Sequence, residues 1–322
     1  MPYSRREAGK LALAALPAVA FLRGATPAFA RAQKPNSKFA GVLVGLNVPY
    51  NFGTQSEWPA DRILKAVVDL GVSGLELRAQ PIEIFAGAPK ELVYPAGTPR
   101  GTTPTPEQQA ARKQGAADLT KWRLSAPMAK VRELRQTYED AGVLVEIVKV
   151  DGFFGRSDDE LDYSFALAKA MGARAISTEI SQNQDDLKRA GRFADKHQLM
   201  VGYHGHTETG PADWEQAFSY AKFNGANLDI GHFVGGHKTS PIPFLKQHHS
   251  RITHLHIKDK TLQNANVPFG QGDTPIKEAL QLLRDNKWPI QATIEFEYDV
   301  PAGSDRMAEM AKCVQFCRDC LV

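Results

Sequence analysis

The chain has 322 residues, of which 43% are hydrophobic, and its formal net charge is +3. This length predicts one large domain or two small ones, with ample apolar sequence for a core. The whole of that charge lies in the first 30 residues, so the remainder is formally neutral and lacks the basic surface of a nucleic-acid-binding protein, a class that the composition excludes.

The N-terminal segment has the features of an export signal. The pair Arg5-Arg6 precedes an apolar run over 11–22, and a small-residue Ala-Phe-Ala site ends at Ala30. Four basic residues and one acidic residue give the segment its charge of +3. These features predict a twin-arginine signal over residues 1–30, which would deliver the protein to the periplasm or the medium. The apolar run is too short to span a bilayer of roughly 30 Å, so we expect no stable membrane insertion.

The remaining chain, residues 31–322, alternates short apolar runs with amphipathic stretches. Eight predicted strands, each followed by a predicted helix, indicate a parallel sheet closed into a (β/α)8 TIM barrel. An open doubly wound sheet is the competing fold, but no GxGxxG turn follows the first strand. The predicted strands lie at 40–46, 73–78, 142–148, 173–179, 199–204, 226–230, 252–257 and 291–296. The predicted helices lie near 60–70, 118–141, 158–171, 183–197, 212–222, 241–249, 274–286 and 304–321.

One connection is much longer than the others. Residues 79–117, after the second strand, form a loop rich in proline, glycine and threonine, well beyond the usual few residues between a strand and its helix. In a barrel this loop would lie at the end that carries the active site. Two interpretations remain open: a lid or substrate-binding flap, and a decorative or partly disordered insertion.

The histidines are concentrated near the predicted strand ends. All nine lie between His197 and His256, and most fall in YHGHTE (203–208), LDIGH (228–232) and HLHIKD (254–259). Successive side chains of a strand alternate between its two faces, so the apolar residues that pack on the helices identify the inward ones. The candidates that face the barrel interior or its mouth are Glu179, His204, His206, Asp229, His256, Lys258, Glu295 and Glu297.

A shared metal ion explains this group better than independent packing roles. A single inward carboxylate, such as Glu76 or Glu146, needs only a neighbouring arginine or backbone amide as its partner. Several buried charges together must be paired with one another or with a cation, and too few inward lysines or arginines are predicted to neutralise them. Carboxylates with one or two imidazoles and no thiolate favour Mn²⁺, Mg²⁺ or Co²⁺ over a structural Zn²⁺ site. We therefore expect a divalent metal cofactor, with Mn²⁺ as the first candidate and Mg²⁺, Co²⁺ or Zn²⁺ as alternatives.

The order of the motifs resembles a known family. YHGHTE, LDIGHFVGG, HLHIKDK, FGQGDTPI (269–276) and IEFEYD together resemble the sugar phosphate isomerase/epimerase family, the xylose isomerase-like TIM barrels, over about residues 40–300. The resemblance implies that Asp229, His256 and Glu295 are metal ligands and that His232 contacts the substrate.

The chain also departs from the ketose epimerases of that family. They carry a second catalytic glutamate on strand five, where this chain has His204. Its YHxH form instead resembles the inosose dehydratase-like branch and exported relatives that act on 3-keto-glycosides. In this arrangement Glu179 on strand four would supply the fourth ligand, while His204 or His206 would act as base or acid. Whether Glu179 or His204 is the fourth ligand stays open from the sequence.

The expected function is that of an exported, divalent-metal-dependent enzyme that isomerises or epimerises a keto-sugar through an enediolate. One alternative is a lyase or dehydratase that acts on a keto-sugar or 3-keto-glycoside by β-elimination. Another is a non-catalytic, exported sugar-binding protein. A small-molecule sugar is the expected partner in each case; its identity and the oligomeric state stay open, and a homo-oligomer is compatible with the sequence. The expected metal ligands are Glu179, Asp229, His256 and Glu295, the expected catalytic residues are His204, His206 and Glu295, and the expected substrate-binding residues are His232, Lys258 and Glu297.

Overall fold

The computed structural model describes residues 34–53, 58–95 and 103–322. Within these ranges eight parallel strands pair in chain order, and the last pairs with the first, so the sheet closes into a barrel. This confirms the predicted (β/α)8 fold, whereas the export signal predicted at 1–30 lies outside the described residues. The barrel strands are β1 (Val42–Val48), β2 (Gly74–Arg78), β3 (Leu144–Lys149), β4 (Ala175–Glu179), β5 (Met200–His204), β6 (Asn224–Asp229), β7 (Ile252–Ile257) and β8 (Gln291–Ile294).

Helices cover the outside of the barrel and follow each strand. Within the ranges that the structure describes, none of them is long and apolar enough to cross a membrane. The helices are α1 (Ala60–Asp69), α2 (Ala79–Phe85), α3 (Lys90–Val93), α4 (Pro106–Leu124), α5 (Met128–Asp140), α6 (Asp158–Met171), α7 (Gln184–His197), α8 (Pro211–Tyr220), α9 (Ile230–His237), α10 (Ile242–His248), α11 (Ile276–Asn286) and α12 (Arg306–Leu321).

The alternation of side chains along the strands separates an apolar layer from a polar interior. Leu46, Leu75 and Leu228 are fully buried members of the hydrophobic core, and each such side chain contributes about 1.5–3 kcal/mol to folding. Their strand neighbours Glu76 and Asn227 are equally buried but polar. Because buried polar groups are costly unless they are paired, this interior indicates a site for chemistry rather than a packed apolar centre.

The segment after β2 is more ordered than the sequence predicted. Instead of a single loop over 79–117, its described parts contain α2, α3 and the first two thirds of α4; we call residues 79–124 the insertion. A capping box starts α4, because Thr105 and Gln108 satisfy each other's backbone N–H groups. The single helix predicted at 118–141 is in fact two helices, α4 and α5, because Pro127 lies between them and cannot continue a helix.

An ion pair anchors the insertion to the barrel. The guanidinium of Arg123, at the end of α4, lies 2.8 Å from Glu83 Oε1 and 3.0 Å from Glu160 Oε1. Glu83 on α2 is completely buried, and its other polar contact is the Tyr163 hydroxyl at 3.2 Å. The contacts of Arg123 therefore tie α4 to both α2 and α6.

Replacing Arg123 with Ala should lower the free energy of unfolding by about 3–5 kcal/mol, because the buried Glu83 carboxylate loses its cation. Lys121→Ala, at an exposed position of the same helix, should change it by no more than about 0.5 kcal/mol. Denaturant unfolding followed by circular dichroism measures both values. Similar losses in the two variants would show that the Arg123 ion pair does not anchor the insertion.

Candidate active site

Four side chains from neighbouring strands converge at the barrel mouth, the end at which the strands finish. His204 ends β5, Asp229 ends β6, His256 lies near the end of β7, and Glu295 directly follows β8. One potential donor atom of each lies within 4.8 Å of those of the other three, and all four residues are buried. We call these four residues the ligand group. It contains three of the four ligands predicted from the sequence.

Glu179, the fourth predicted ligand, lies outside the ligand group. Its side chain is 51% exposed at the end of β4, with Oε1 2.5 Å from Lys149 Nζ and Oε2 2.9 Å from His206 Nε2. Lys149 is 2% exposed, so its buried ammonium needs a counter-charge, and Glu179 supplies it. Of the two residues that the sequence left open as the fourth ligand, His204 lies in the ligand group and Glu179 does not.

Three buried atoms of the ligand group face a single cationic side chain. No hydrogen bond of acceptable geometry reaches Asp229 Oδ2, His256 Nδ1 or Glu295 Oε2 from the described residues, and the Lys258 ammonium is the positive charge beside both carboxylate oxygens. Buried carboxylates collected around one point need a cation, which a metal ion can supply in place of the ammonium. Two imidazoles and two carboxylates without a thiolate form a donor set that suits Mn²⁺ and similar divalent ions. The ligand group therefore fits a divalent cation.

A second carboxylate orients His256. Glu76 Oε2 lies 2.5 Å from His256 Nε2, while His256 Nδ1 faces Glu295 Oε2 at 3.2 Å and Asp229 Oδ2 at 3.9 Å. A proton on Nε2 that is donated to Glu76 leaves the Nδ1 lone pair free to bind a cation. The sequence suggested only an arginine or a backbone amide as the partner of Glu76; the structure pairs it with His256, and with His254 at 3.4 Å.

Glu76→Gln should weaken binding of Mn²⁺ about 10–100-fold, because the neutral amide holds and polarises His256 less strongly. Titration calorimetry on protein freed of metal by a chelator measures this loss. Glu146→Gln is the matched control: Glu146 lies on β3 but pairs with Arg174 at 2.8 Å, so its replacement should leave the affinity unchanged. Equal affinities of wild type and Glu76→Gln would exclude a role for Glu76 in metal binding.

Lys258 brings a positive charge into the same space. Its Nζ lies 3.0 Å from Asp229 Oδ2, 2.5 Å from Glu295 Oε2 and 2.8 Å from Glu297 Oε2. The expectation that too few inward lysines neutralise the carboxylates therefore needs correction, since Lys258 and Lys149 each contact at least one of them. Four carboxylates surround the two groups Lys258 and His256, so an excess of negative charge remains there. These carboxylates are Glu76, Asp229, Glu295 and Glu297.

Burial and neighbouring charges have opposite effects on the protonation of the two imidazoles in the ligand group. Burial alone would lower the pKa of His256, but Glu295 and Glu76 outweigh it and raise this pKa to about 10. Burial and the nearby His256 hold the pKa of His204 well below its ordinary value. A cation that binds His256 must displace its proton, so metal affinity should rise with pH.

His206 and Glu179 form an ionisable pair at the edge of the mouth. Their hydrogen bond raises the pKa of His206. Burial disfavours the ionised form of Glu179, but His206 and Lys149 outweigh this and lower its pKa. The His206 ring lies 4.8 Å from that of His204 and 5.0 Å from that of His232. The pair is thus half-exposed to solvent and close to the ligand group, as a proton-transferring group must be.

A second ionisable pair lies on the opposite side of the mouth. The Tyr50 hydroxyl donates to Glu297 Oε1 at 2.9 Å, and Glu297 Oε2 contacts Lys258. Tyr50 follows β1 and Glu297 follows β8, whereas His206 follows β5 and Glu179 ends β4, half a turn away around the barrel. Glu297 was predicted from the sequence as a site residue, but Tyr50 was not. The only feature of the sequence that pointed to Tyr50 is its position just after the first strand.

His232 lies in a helix that the sequence did not predict. Asp229 starts α9, because its Oδ1 accepts a hydrogen bond from the His232 backbone N–H at 2.7 Å. His232 Nε2 lies 3.1 Å from Lys258 Nζ. Burial, together with Lys258, lowers the pKa of His232 to about 3. In a neutral His232 whose Nε2 accepts from the Lys258 ammonium, Nδ1 carries the proton and has no hydrogen-bond partner among the described residues. This N–H can donate to a ligand, which is compatible with the predicted substrate contact.

Comparisons with known proteins agree with this architecture. The pattern of the family described as xylose isomerase-like TIM barrel matches residues 116–320. Inosose dehydratase from Clostridium tetani is 24% identical over 156 residues, 41% of this chain, and the chain spans 52% of the length of that protein.

Solved structures show the same fold at low sequence identity. The probable 3-DHS dehydratase from Bacillus anthracis superposes with a TM-score of 0.57 at 13% identity, over 85% of this chain and 99% of that one. The 3-keto-D-glucoside 4-epimerase from E. coli gives 0.57 at 13% identity, over 87% and 100%. Because the family pattern covers more than half of the sequence and the barrel closes as expected, the chain belongs to the xylose isomerase-like TIM barrel family.

Proposed function

We propose that the protein is a divalent-metal-dependent enzyme that isomerises or epimerises a keto-sugar through an enediolate. The observation that carries this proposal is the ligand group itself: two carboxylates and two imidazoles, all buried, with one donor atom of each within 4.8 Å of the others. His204, Asp229, His256 and Glu295 would hold the ion, and Mn²⁺ is the first candidate because the donors are oxygen and imidazole nitrogen. A bound ion would polarise the carbonyl of the sugar and stabilise negative charge on its oxygens.

His206 is the group that would remove the proton from the carbon next to the carbonyl. Its Nε2 is held by Glu179, so the carboxylate can stabilise the imidazolium that forms. For isomerisation, the same imidazolium returns the proton to the neighbouring carbon on the same side of the sugar. His232 and Lys258, 3.1 Å apart, would orient the hydroxyls of the substrate.

Epimerisation needs a proton donor on the other side of the sugar, and Tyr50 meets this requirement. Burial and the adjacent Glu297 raise the pKa of Tyr50, so its hydroxyl keeps its proton near neutral pH. It would give this proton to the enediolate carbon from the side of the mouth opposite His206; the tyrosinate would then regain a proton from water, and His206 would release to water the proton that it removed. The presence of acid–base groups on both sides supports epimerisation as well as isomerisation.

β-Elimination from a keto-sugar or 3-keto-glycoside is the second candidate function. The sequence similarity to an inosose dehydratase favours it. The same His206 would remove the proton, and the leaving group would depart with a proton from His206 or from Tyr50. The two candidates differ in their products, since only elimination releases a leaving group or water.

Exchange with heavy water tests the proposed function. The Mn²⁺-loaded protein should incorporate deuterium from D₂O into a keto-sugar at the carbon next to its carbonyl, and the chelated protein should not. Release of a leaving group during the same incubation would identify the lyase. Sugar binding without deuterium uptake would instead identify a non-catalytic binding protein, and uptake that is unchanged after removal of metal would overturn the metal-dependent mechanism.

We also propose that the protein is exported through the twin-arginine route. Replacement of both Arg5 and Arg6 with Lys should keep the unprocessed protein in the cytoplasm, because this route requires the arginine pair. Cell fractionation with N-terminal sequencing measures the outcome, and Arg23→Lys in the same segment is the control. Export of the double variant at the wild-type level would contradict the proposal.

A further inference from the structure

Lys260 is a buried lysine near the barrel mouth that has no counter-charge. The residue is 4% exposed. Its Nζ forms no hydrogen bond with a described residue, and no described carboxylate oxygen lies within 4.0 Å of it. The other two buried lysines of the described ranges, Lys149 and Lys258, each contact at least one carboxylate. An unpaired buried ammonium is costly, so Lys260 calls for an anionic partner.

The backbone directs Lys260 towards the mouth. His256 and Lys258 point inward, and Lys260 is the next residue in the same alternation. A short strand places Lys260 directly opposite Asn266 in an antiparallel pair, so their side chains project from the same face. Asn266 Nδ2 lies 3.4 Å from the backbone carbonyl oxygen of Glu297, which follows β8. Lys260 therefore continues the inward row of side chains one step further out, on the side of Glu297.

The charge of Lys260 acts on the residues of the mouth. Burial and the neighbouring charge of Lys258 lower the pKa of Lys260, and Glu297 partly opposes them. Burial, Lys258 and Lys260 also act together to lower the pKa of His232. Glu297 contacts Lys258 at 2.8 Å and does not contact Lys260. The ammonium of Lys260 thus belongs to the mouth, but no contact with a described carboxylate neutralises it there.

The glycine-rich segment FGQGDTPI fixes the backbone at Lys260. Asp259 Oδ2 accepts hydrogen bonds from the N–H groups of Gly270 at 2.8 Å and Gly272 at 3.0 Å. The Lys260 N–H donates to Thr274 Oγ1 at 3.0 Å. A Cβ at Gly272 would meet Asp259 Oδ1 at 2.3 Å, so only glycine fits there. The segment therefore holds the backbone that carries Lys260, which gives this motif a role at the mouth.

The charge of a single ammonium decides which anion fits. A carboxylate has one negative charge and two acceptor oxygens, which one lysine can pair. A phosphate carries a charge of about −1.5 to −2 and three acceptor oxygens, so it needs more donors. The nearby Glu297 carboxylate also repels a second negative charge on the ligand. A carboxylate is therefore the better match for Lys260.

We propose that the substrate is a keto-sugar acid and that Lys260 binds its carboxylate. The inference rests on the proposed function, because it assumes that the carbonyl of the sugar lies at the ligand group. Successive inward residues of a strand stand about 6–7 Å apart, since each residue adds about 3.3 Å. The step from Lys258 to Lys260 is thus comparable to the length of a sugar. The far end of the chain can reach Lys260 while the carbonyl faces the ligand group.

Three ligands that share their keto end provide the probes. D-Fructuronate, D-fructose and D-fructose 6-phosphate differ only at the far end of the chain, which bears a carboxylate, an alcohol or a phosphate. Titration calorimetry on the Mn²⁺-loaded protein should show that D-fructuronate binds at least about 10-fold more tightly than D-fructose, because hydrogen bonds between charged groups are the stronger ones. D-Fructose 6-phosphate should bind more weakly than D-fructuronate.

Lys260→Met should lose the preference for D-fructuronate and bind D-fructose as the wild type does. Lys260→Arg keeps the charge and should keep most of the preference. Lys277→Met is the matched control: Lys277 is exposed on α11, so this variant should bind all three ligands as the wild type does. Without ligand, Lys260→Met should melt at or above the temperature of the wild type, because it loses an unpaired buried charge.

Equal affinity of the wild type for D-fructuronate and D-fructose would overturn the proposal, as would a full preference in Lys260→Met. Binding of D-fructose 6-phosphate as tight as that of D-fructuronate would overturn the choice of a carboxylate. A lower melting temperature of Lys260→Met, with weaker binding of D-fructose, would show a structural role instead. Failure of the proposed function is distinct, because it would appear as absent deuterium uptake from D-fructuronate and D-fructose alike, while calorimetry still reports on Lys260.

Discussion

Asp229→Asn should abolish binding of the divalent cation and reduce turnover at least about 10³-fold. The substitution removes one of two anionic ligands and leaves a weaker neutral donor in its place. The fold should survive, because Asn also caps helices well and its side-chain oxygen can still accept from the His232 backbone N–H, as Asp229 Oδ1 does at 2.7 Å. Lys258 keeps its contacts with Glu295 and Glu297.

Three measurements on purified Asp229→Asn separate a lost ligand from a lost fold. Elemental analysis gives the metal content, deuterium uptake gives turnover, and thermal unfolding of the metal-free proteins should give melting temperatures within about 5 °C of each other. Asp305→Asn makes the same chemical change at the cap of α12, where Asp305 Oδ1 accepts from Ala308 N at 2.8 Å. Full metal content in Asp229→Asn would remove Asp229 from the ligand group.

His206→Gln should lower turnover about 10²–10⁴-fold, the usual contribution of a general base, while the metal content stays at the wild-type level. His204→Gln should lose the metal as well, because His204 belongs to the ligand group, whereas His206 is grouped only with His204 and His232, without a carboxylate. The two histidines are only two residues apart, at the end of the same strand. Comparison of their variants therefore distinguishes the histidine that transfers protons from the one that binds the metal. Loss of metal from both variants, or from neither, would contradict this assignment.

Glu179→Gln tests the same pair through its pH dependence. His206 must be unprotonated to accept a proton, so kcat/KM should fall as the pH drops through the pKa of His206, which the Glu179 hydrogen bond raises. Removal of the carboxylate charge should lower that pKa and move the acidic limb of the profile to lower pH. The metal content should not change. An unmoved limb would show that Glu179 does not set the pKa of the catalytic base, and loss of the metal would indicate that Glu179 is a ligand.

The strands and the inward face of the barrel could be predicted from the sequence because both depend on local periodicity. Apolar residues such as Leu228 and Leu255 mark the face that packs on the helices, and the residues between them, such as Asp229 and His256, must then point the other way. The structure adds the register between strands, in which Asp229 on β6 stands beside His256 on β7.

Contacts between distant segments could not be predicted in this way. The position of Glu179 outside the ligand group depends on Lys149, which lies on the neighbouring strand and pairs with Glu179 at the edge of the mouth. The pairing of Glu76 with His256 joins residues 180 positions apart. Period-two alternation shows which way each side chain points. It does not show which residue that side chain contacts across the barrel.

Local signals for two helical regions were present but were outweighed by composition. Asp229, three residues before His232, caps α9. The same residue also fits the strand predicted at 226–230, so α9 was not predicted. Within the insertion, Thr105, Pro106 and Gln108 form a helix start that its proline and glycine content obscured.

The most direct test of the metal site is a crystal structure of the protein with Mn²⁺, recorded with anomalous diffraction at the manganese edge. We expect one strong peak in the barrel mouth, within about 2.0–2.3 Å of one donor atom from each of His204, Asp229, His256 and Glu295. Displacement of Lys258 Nζ from Asp229 and Glu295 should accompany it. A mouth without a peak at millimolar Mn²⁺, or a peak bound by Glu179 and not by Asp229 and His256, would contradict the proposed metal centre.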